Sequence, residues 1–161
     1  FANGIAPGKN EEFLAVNVCS ERKIRKYYLK GKKAGKNEIM TDDIGGYNDN
    51  IRPDGNGGFY VALFAETSEE LSAIQDYEKL KELTLQFIPP ADTLSVVENV
   101  GLIKRIDSKG RIIETIKSAD PSIWIRTAEA EVRDDGYMYM GSVLNNHVGR
   151  FKVSDLREVR K

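Results

Sequence analysis

Short runs of alternating apolar and polar residues, each closed by turn chemistry, fill most of this chain. Phe13 to Val18 and Lys23 to Leu29 read as a strand pair across a polar turn. Lys30 to Lys36 is a Gly/Lys loop, and Asn37 to Thr41 reads as a third strand. Asn50 to Arg52 and Phe59 to Leu63 flank a hairpin at Pro53 to Gly58, where Asp54-Gly55 and Asn56-Gly57 supply residues that accept a positive φ. Further on, Gly101 to Ile106 and Arg111 to Ile116 flank Asp107 to Gly110, and Ala128 to Arg133 and Tyr137 to Ser142 flank Asp134 to Gly136. His147 to Val153 ends the series.

The rhythm of these hairpins predicts an all-β fold. Gly57-Gly58-Phe59-Tyr60-Val61 and Gly136-Tyr137-Met138-Tyr139-Met140 are weakly self-similar, each an aromatic strand entered through glycine. Regular hairpins of this kind suit blades stacked around an axis, and a β-sandwich produces similar spacing. One stretch departs from the pattern. Leu71, Ile74, Tyr77, Leu80, Leu83 and Phe87 recur at helical spacing, Thr67 and Glu70 form a capping-box pair, and Pro89-Pro90 ends the run. The spacing predicts one inserted helix over 67–88, either covering apolar surface or acting as a lid or membrane-facing element.

Composition narrows the picture modestly. A chain of 161 residues with 40% hydrophobic content is long enough for one domain with a core. A formal net charge of −1 with 30% charged residues describes an ordinary solvated surface. The basic cluster from Arg22 to Lys36 interleaves with Ile24, Tyr27, Tyr28 and Leu29, which suits a charged strand edge, so no nucleic-acid partner is expected. The single Cys19 excludes an internal disulfide framework and a cysteine metal site. No apolar run reaches the length of a membrane helix, and no Asn-x-Ser/Thr acceptor occurs.

The residues with most chemical content are Asn48, Asp49 and Asn50, read as a tight turn just before an aromatic and apolar strand. Asn and Asp are poor strand formers. They serve turns because they tolerate left-handed conformations, and their oxygens also suit hard cations. His147 has no Ser or Cys motif beside it to make a triad, and Trp124 reads as core.

Larger blocks carry a family resemblance. Phe1-Ala2-Asn3-Gly4, the basic segment Arg22 to Ile39, the block Gly46 to Leu63 (GYNDNIRPDGNGGFYVAL), and then Gly101 to Ile116, Ala130 to Val143 and Val148 to Val153 together resemble the strictosidine synthase-like family. The nearest branch is that of adipocyte plasma membrane-associated protein and hemomucin. The resemblance covers about three quarters of the chain and fails from Phe64 to Asn99. It implies a partial six-bladed β-propeller of about three blades, in which residues 1–161 form the C-terminal half. An isolated half is expected to expose blade edges and be prone to aggregation.

By that resemblance, Asn3 and Asp49 open successive blades and point oxygens into the central channel as ligands of a calcium ion. Such an ion would polarise the carbonyl of a small-molecule ester or lactone. Glu129 aligns with the acid/base glutamate of strictosidine synthase; in closer animal relatives the glutamate falls one residue later, where this chain has Ala130. A one-residue shift reverses the strand face used. The chain also departs from the pattern at Asn48, which stands where the family has proline, and at Val18 and Cys19, which replace an acid and a threonine. The implied activity is calcium-dependent ester or lactone hydrolysis in the intact parent. The alternatives are a non-catalytic propeller that binds a partner, and Pictet–Spengler condensation as in strictosidine synthase. Related proteins suggest the secretory pathway or a membrane anchor preceding this region.

Overall fold

The computed structural model describes residues 1–67, 77, 79, 82, 86, 100–118, 120, 124 and 126–158. The helix expected over 67–88 lies, but for a few isolated positions, outside the described residues. What is described folds as three antiparallel sheets in chain order. The first has the order β1 (Ala2–Pro7), β2 (Phe13–Val18), β3 (Lys23–Tyr28) and β4 (Asn37–Thr41). The second has the order β5 (Gly46–Pro53), β6 (Phe59–Glu66), β7 (Leu102–Ile106) and β8 (Ile112–Lys117). In the third, β10 (Tyr137–Ser142) lies between β9 (Thr127–Val132) and β11 (Gly149–Lys152), and a helical turn, Val153–Glu158, follows. Each sheet is an up-and-down meander, and the chain leaves the last strand of one to begin the first strand of the next. This is the connectivity of propeller blades, with β1, β5 and β9 as the innermost strands.

The middle blade explains why its second strand is an unbroken apolar run. Strand side chains alternate between faces. Phe59, Val61 and Leu63 of β6 face the first sheet and join Ala6, Phe13, Ala15 and Ile24 in one buried cluster. Tyr60, on the opposite face, joins Ile103, Trp124, Ala130, Met138 and Met140 in a second cluster beneath the third sheet. Both faces of β6 are therefore covered, so polar alternation is lost. Each large side chain so buried contributes about 1.5–3 kcal/mol relative to exposure. Trp124 anchors the second cluster through its ring, donates from Nε1 to Thr127 Oγ1 at 3.0 Å, and meets His147 edge-on at 5.7 Å.

The hairpin after β5 is closed by one aspartate. Asp54 Oδ1 accepts the backbone N–H of Asn56 and of Gly58, each at 2.8 Å, while Gly55 and Gly57 take positive φ. Asp54 Oδ2 is gripped by Arg105, from Nε at 2.7 Å and from NH2 at 2.6 Å. Glu114 sits 3.8 Å from the same guanidinium, making a buried charged triad on the middle blade.

Asn48, Asp49 and Asn50 are not a turn, as their composition suggested. They lie inside β5, which begins at Gly46. The register passes from Asn48↔Leu63 to Ile51↔Val61, so Asp49 and Asn50 together stand opposite Ala62 in a β-bulge. A bulge admits residues with poor strand propensity because they need not continue the ladder, and it re-aims their side chains.

Candidate functional site

The three innermost strands lie side by side, with β5 packed against β1 and against β9. Asn3 sits on β1, Asp49 on β5 and Glu129 on β9. The three residues singled out in the sequence thus occupy the inner strands of three successive blades.

Asn3 and Asp49 are in direct contact. Asn3 Nδ2 donates to Asp49 Oδ1 at 2.7 Å. The reason this contact forms lies in the next residue. A Cβ on Gly4 would sit 2.6 Å from the Asp49 carbonyl oxygen, 2.7 Å from Asn50 Cα and 2.9 Å from the Ile51 nitrogen. Only glycine lets β1 lie flush on the backbone of the bulge. The Asn-Gly pair is therefore one device: Gly4 closes the approach and Asn3 uses it.

Asp49 is half-buried, and burial pushes its carboxyl above the usual range, with the Asn3 amide acting in the opposite direction. Among the described residues no basic side chain pairs with it. Asn17 of β2 donates from Nδ2 to the Asp49 carbonyl oxygen at 2.7 Å, and Asn48 donates from Nδ2 to the Lys23 carbonyl at 2.9 Å. Both amides are fully buried, and the Oδ1 of each has no hydrogen-bond partner.

Glu129 is placed differently. It pairs with Arg52 of β5, NH2 to Oε2 at 2.5 Å, and its Oε1 accepts the Ala130 N–H at 3.0 Å. Burial raises its pKa; Arg52 and the Ala130 amide oppose the rise, and the charges of Glu131 and Asp49 add to it. Asp49 and Glu129 therefore share one electrostatic field without a direct contact. Glu131 lies on the same face and pairs with Arg133 at 2.9 Å. Ala130 faces the buried cluster beneath the third sheet, so the shifted position is core. The Cys19 thiol is pushed up by burial and then by Asp49, which leaves it protonated and a weak nucleophile at neutral pH. His147 is exposed, with Nδ1 beside Asn146 Oδ1 at 3.1 Å, and its ring meets Trp124 edge-on.

The donor set at Asn3 and Asp49 is oxygen only, an amide carbonyl and a half-buried carboxylate without a cationic partner. That chemistry fits a hard divalent ion such as calcium. Among the described residues no group of three His, Cys, Asp or Glu gathers around a common point. Two contributors were not singled out from sequence. Asn17 carried one signal, a polar residue at an inward position of the alternating strand Phe13–Val18. Arg52 carried none beyond its place in the block Gly46 to Leu63. Among the described residues no helix is long and apolar enough to cross a membrane.

No family model matches the chain. It is 23% identical over 160 residues to rat adipocyte plasma membrane-associated protein, a match covering 97% of this chain and 42% of that protein. It is 26% identical to the Drosophila melanogaster hemomucin (94% of this chain, 31% of the relative). It is 30% identical to strictosidine synthase-like protein 10 of Arabidopsis thaliana (95% and 41%). The chain thus spans under half the length of the curated relatives it matches. Among solved structures it resembles a gluconolactonase from Xanthomonas campestris, with a TM-score of 0.55 and 10% identity over 88% of this chain and 34% of that one. It also resembles a calcium-binding protein, regucalcin, from Agrobacterium tumefaciens, with a TM-score of 0.56 and 13% identity over 91% and 40%. The fold is the partial six-bladed β-propeller that the sequence predicts. The relatives that match across nearly the whole chain are strictosidine synthase-like proteins, adipocyte plasma membrane-associated protein and hemomucin, the family that the sequence resembles.

Proposed function

We propose that the intact protein hydrolyses small esters or lactones with the help of a divalent ion, calcium by choice, held in part by Asn3 and Asp49. The observation that carries this reading is the Asn3–Asp49 contact: a half-buried carboxylate and an amide joined at 2.7 Å across two inner strands. A buried carboxylate that stays ionised at neutral pH needs a positive partner, and here the described residues supply only an amide. The likeness to a gluconolactonase and to a calcium-binding regucalcin supports the same class of chemistry.

In this reading Asn3 orients Asp49 and offers its own amide oxygen toward the ion. A bound ion would supply Lewis-acid polarisation of the substrate carbonyl. Glu129 stands ready to take a proton from the attacking water once Arg52 yields, and burial keeps its pKa nearer to neutral than that of a free glutamate.

The Arg52–Glu129 pair favours a second reading, a non-catalytic propeller that binds a partner. A carboxylate closed by a guanidinium has little freedom to act as a base. Calcium titration followed by thermal unfolding separates the two, run on the wild type beside the Asn3→Ala, Asp49→Ala double variant. Stabilisation of the wild type alone, about 2.7 kcal/mol at a hundredfold excess over Kd, supports the ion site and justifies screening aryl esters and lactones. No calcium effect in either protein removes the hydrolase reading.

A further inference from the structure

Asn17 and Asn48 are the two fully buried asparagines among the described residues, and they act in opposite directions across the same blade interface. Asn17, on the first blade, donates to the carbonyl of Asp49 on the second at 2.7 Å. Asn48, on the second blade, donates to the carbonyl of Lys23 on the first at 2.9 Å. The bulge removes Asp49 and Asn50 from the regular ladder.

We propose that Asn17 is a positioning residue for Asp49: its buried amide fixes the backbone of the bulge from the neighbouring blade and so aims the Asp49 carboxylate at Asn3. The two amides tie the bulge to the neighbouring blade by hydrogen bonds that run in both directions. A hydrogen bond to a backbone carbonyl inside the interface holds one orientation of the bulge, and Gly4 sets the distance at which β1 meets it. The calcium-binding part of this inference rests on the proposed function, while the anchoring part does not.

The test compares Asn17→Ala with Thr41→Val. Thr41 makes another buried hydrogen bond between these blades, Oγ1 to the Gly110 carbonyl at 2.9 Å, away from Asp49. Amide hydrogen exchange is read first, without divalent ions. Asn17→Ala is expected to speed exchange at Asn50 and Ile51 about tenfold relative to the third sheet, and Thr41→Val to leave that ratio unchanged. Calcium affinity by titration calorimetry is read second, with an expected loss of about tenfold or more in Asn17→Ala, the range for removing an outer-shell partner. Equal behaviour of the two variants in exchange overturns the proposal. A wild type that binds no calcium defeats the hydrolase reading, and hydrogen exchange still decides the anchor. Asn17→Val, which suits a strand and carries no donor, takes the place of an alanine variant that fails to fold, under the same criteria.

Discussion

Arg52 on the inner strand of the middle blade holds Glu129 on the inner strand of the next, guanidinium NH2 to Oε2 at 2.5 Å. The pair is the charged link between these two strands at the candidate site. It opposes the upward push that burial exerts on the Glu129 carboxyl. Replacing the guanidinium by a neutral amide, Arg52→Gln, is therefore expected to raise the Glu129 pKa further. Carbon-13 NMR of the side-chain carboxyl reads this directly. If Glu129 is the acid/base group of the intact protein, the acidic limb of its pH–rate profile moves up by the same amount. A Glu129 pKa that falls on removal of Arg52 would show that the pair does not persist in solution.

The pH dependence of stability follows from Asp49. Its folded pKa is raised, with burial as the leading cause, so the folded state binds the proton more tightly than the unfolded chain. That contribution is present below the unfolded value, near 3.9 for aspartate, and is lost as pH rises through the raised folded value. In chelator, Asp49→Asn is thus expected to have a higher urea midpoint than wild type at pH 7, and the gap to close below about pH 4. Adding calcium should stabilise the wild type and leave the variant unmoved. A variant less stable than wild type at pH 7 in chelator would contradict the burial argument.

Gly4 is where a single methyl group reads out the blade contact. Gly4→Ala places a Cβ 2.6 Å from the Asp49 carbonyl oxygen and 2.7 Å from Asn50 Cα, both backbone atoms that have no rotamer to yield. The expected cost is about 1–3 kcal/mol, as for other overpacked positions, together with weakened calcium binding as β1 moves off the bulge. Urea denaturation and calcium titration on the same variant check both parts. Gly136, whose added Cβ would meet nothing within 4 Å but whose φ is +80°, provides a comparison for backbone strain without a clash.

Asp54 and Arg105 form a structural pair away from the site. The Asp54 side chain is almost wholly buried, and it is bound both by Arg105 and by two backbone N–H groups of its own hairpin. Arg105→Ala leaves the carboxylate buried without its counter-ion, which costs about 3–5 kcal/mol in comparable cases. Asp54→Asn in the same background removes the stranded charge and should recover part of the loss. Chemical denaturation of the single and double variants measures this, and an Arg105→Ala cost below about 1 kcal/mol, the level of a surface pair, would sink the argument.

Much of the architecture was legible in the chain because strands and hairpins are short-range features. Phe13–Val18, Asn37–Thr41 and Tyr137–Ser142 occupy the spans that alternation alone indicates. The turn dipeptides Asp54-Gly55 and Asp135-Gly136 mark hairpins because positive φ is a local demand. The error at Asn48 to Asn50 was also local in origin. Strand propensity rejects those residues, and propensity has no term for a bulge whose polar groups are bonded from another blade.

The sequence by itself determined the all-β run of hairpins and the residue types that could meet a hard cation, since these follow from periodicity, turn chemistry or donor atoms, while the propeller and its three blades came from the family resemblance. The tertiary structure decided which of those residues meet. Asn3 and Asp49 are 46 positions apart, and only the flush packing of β1 on the bulge, through Gly4, brings amide to carboxylate. Arg52 and Glu129 are 77 apart, and only the neighbouring position of β5 and β9 turns a candidate base into half of an ion pair. Contacts between blades depend on how whole sheets stack, and no pattern within a single strand encodes that.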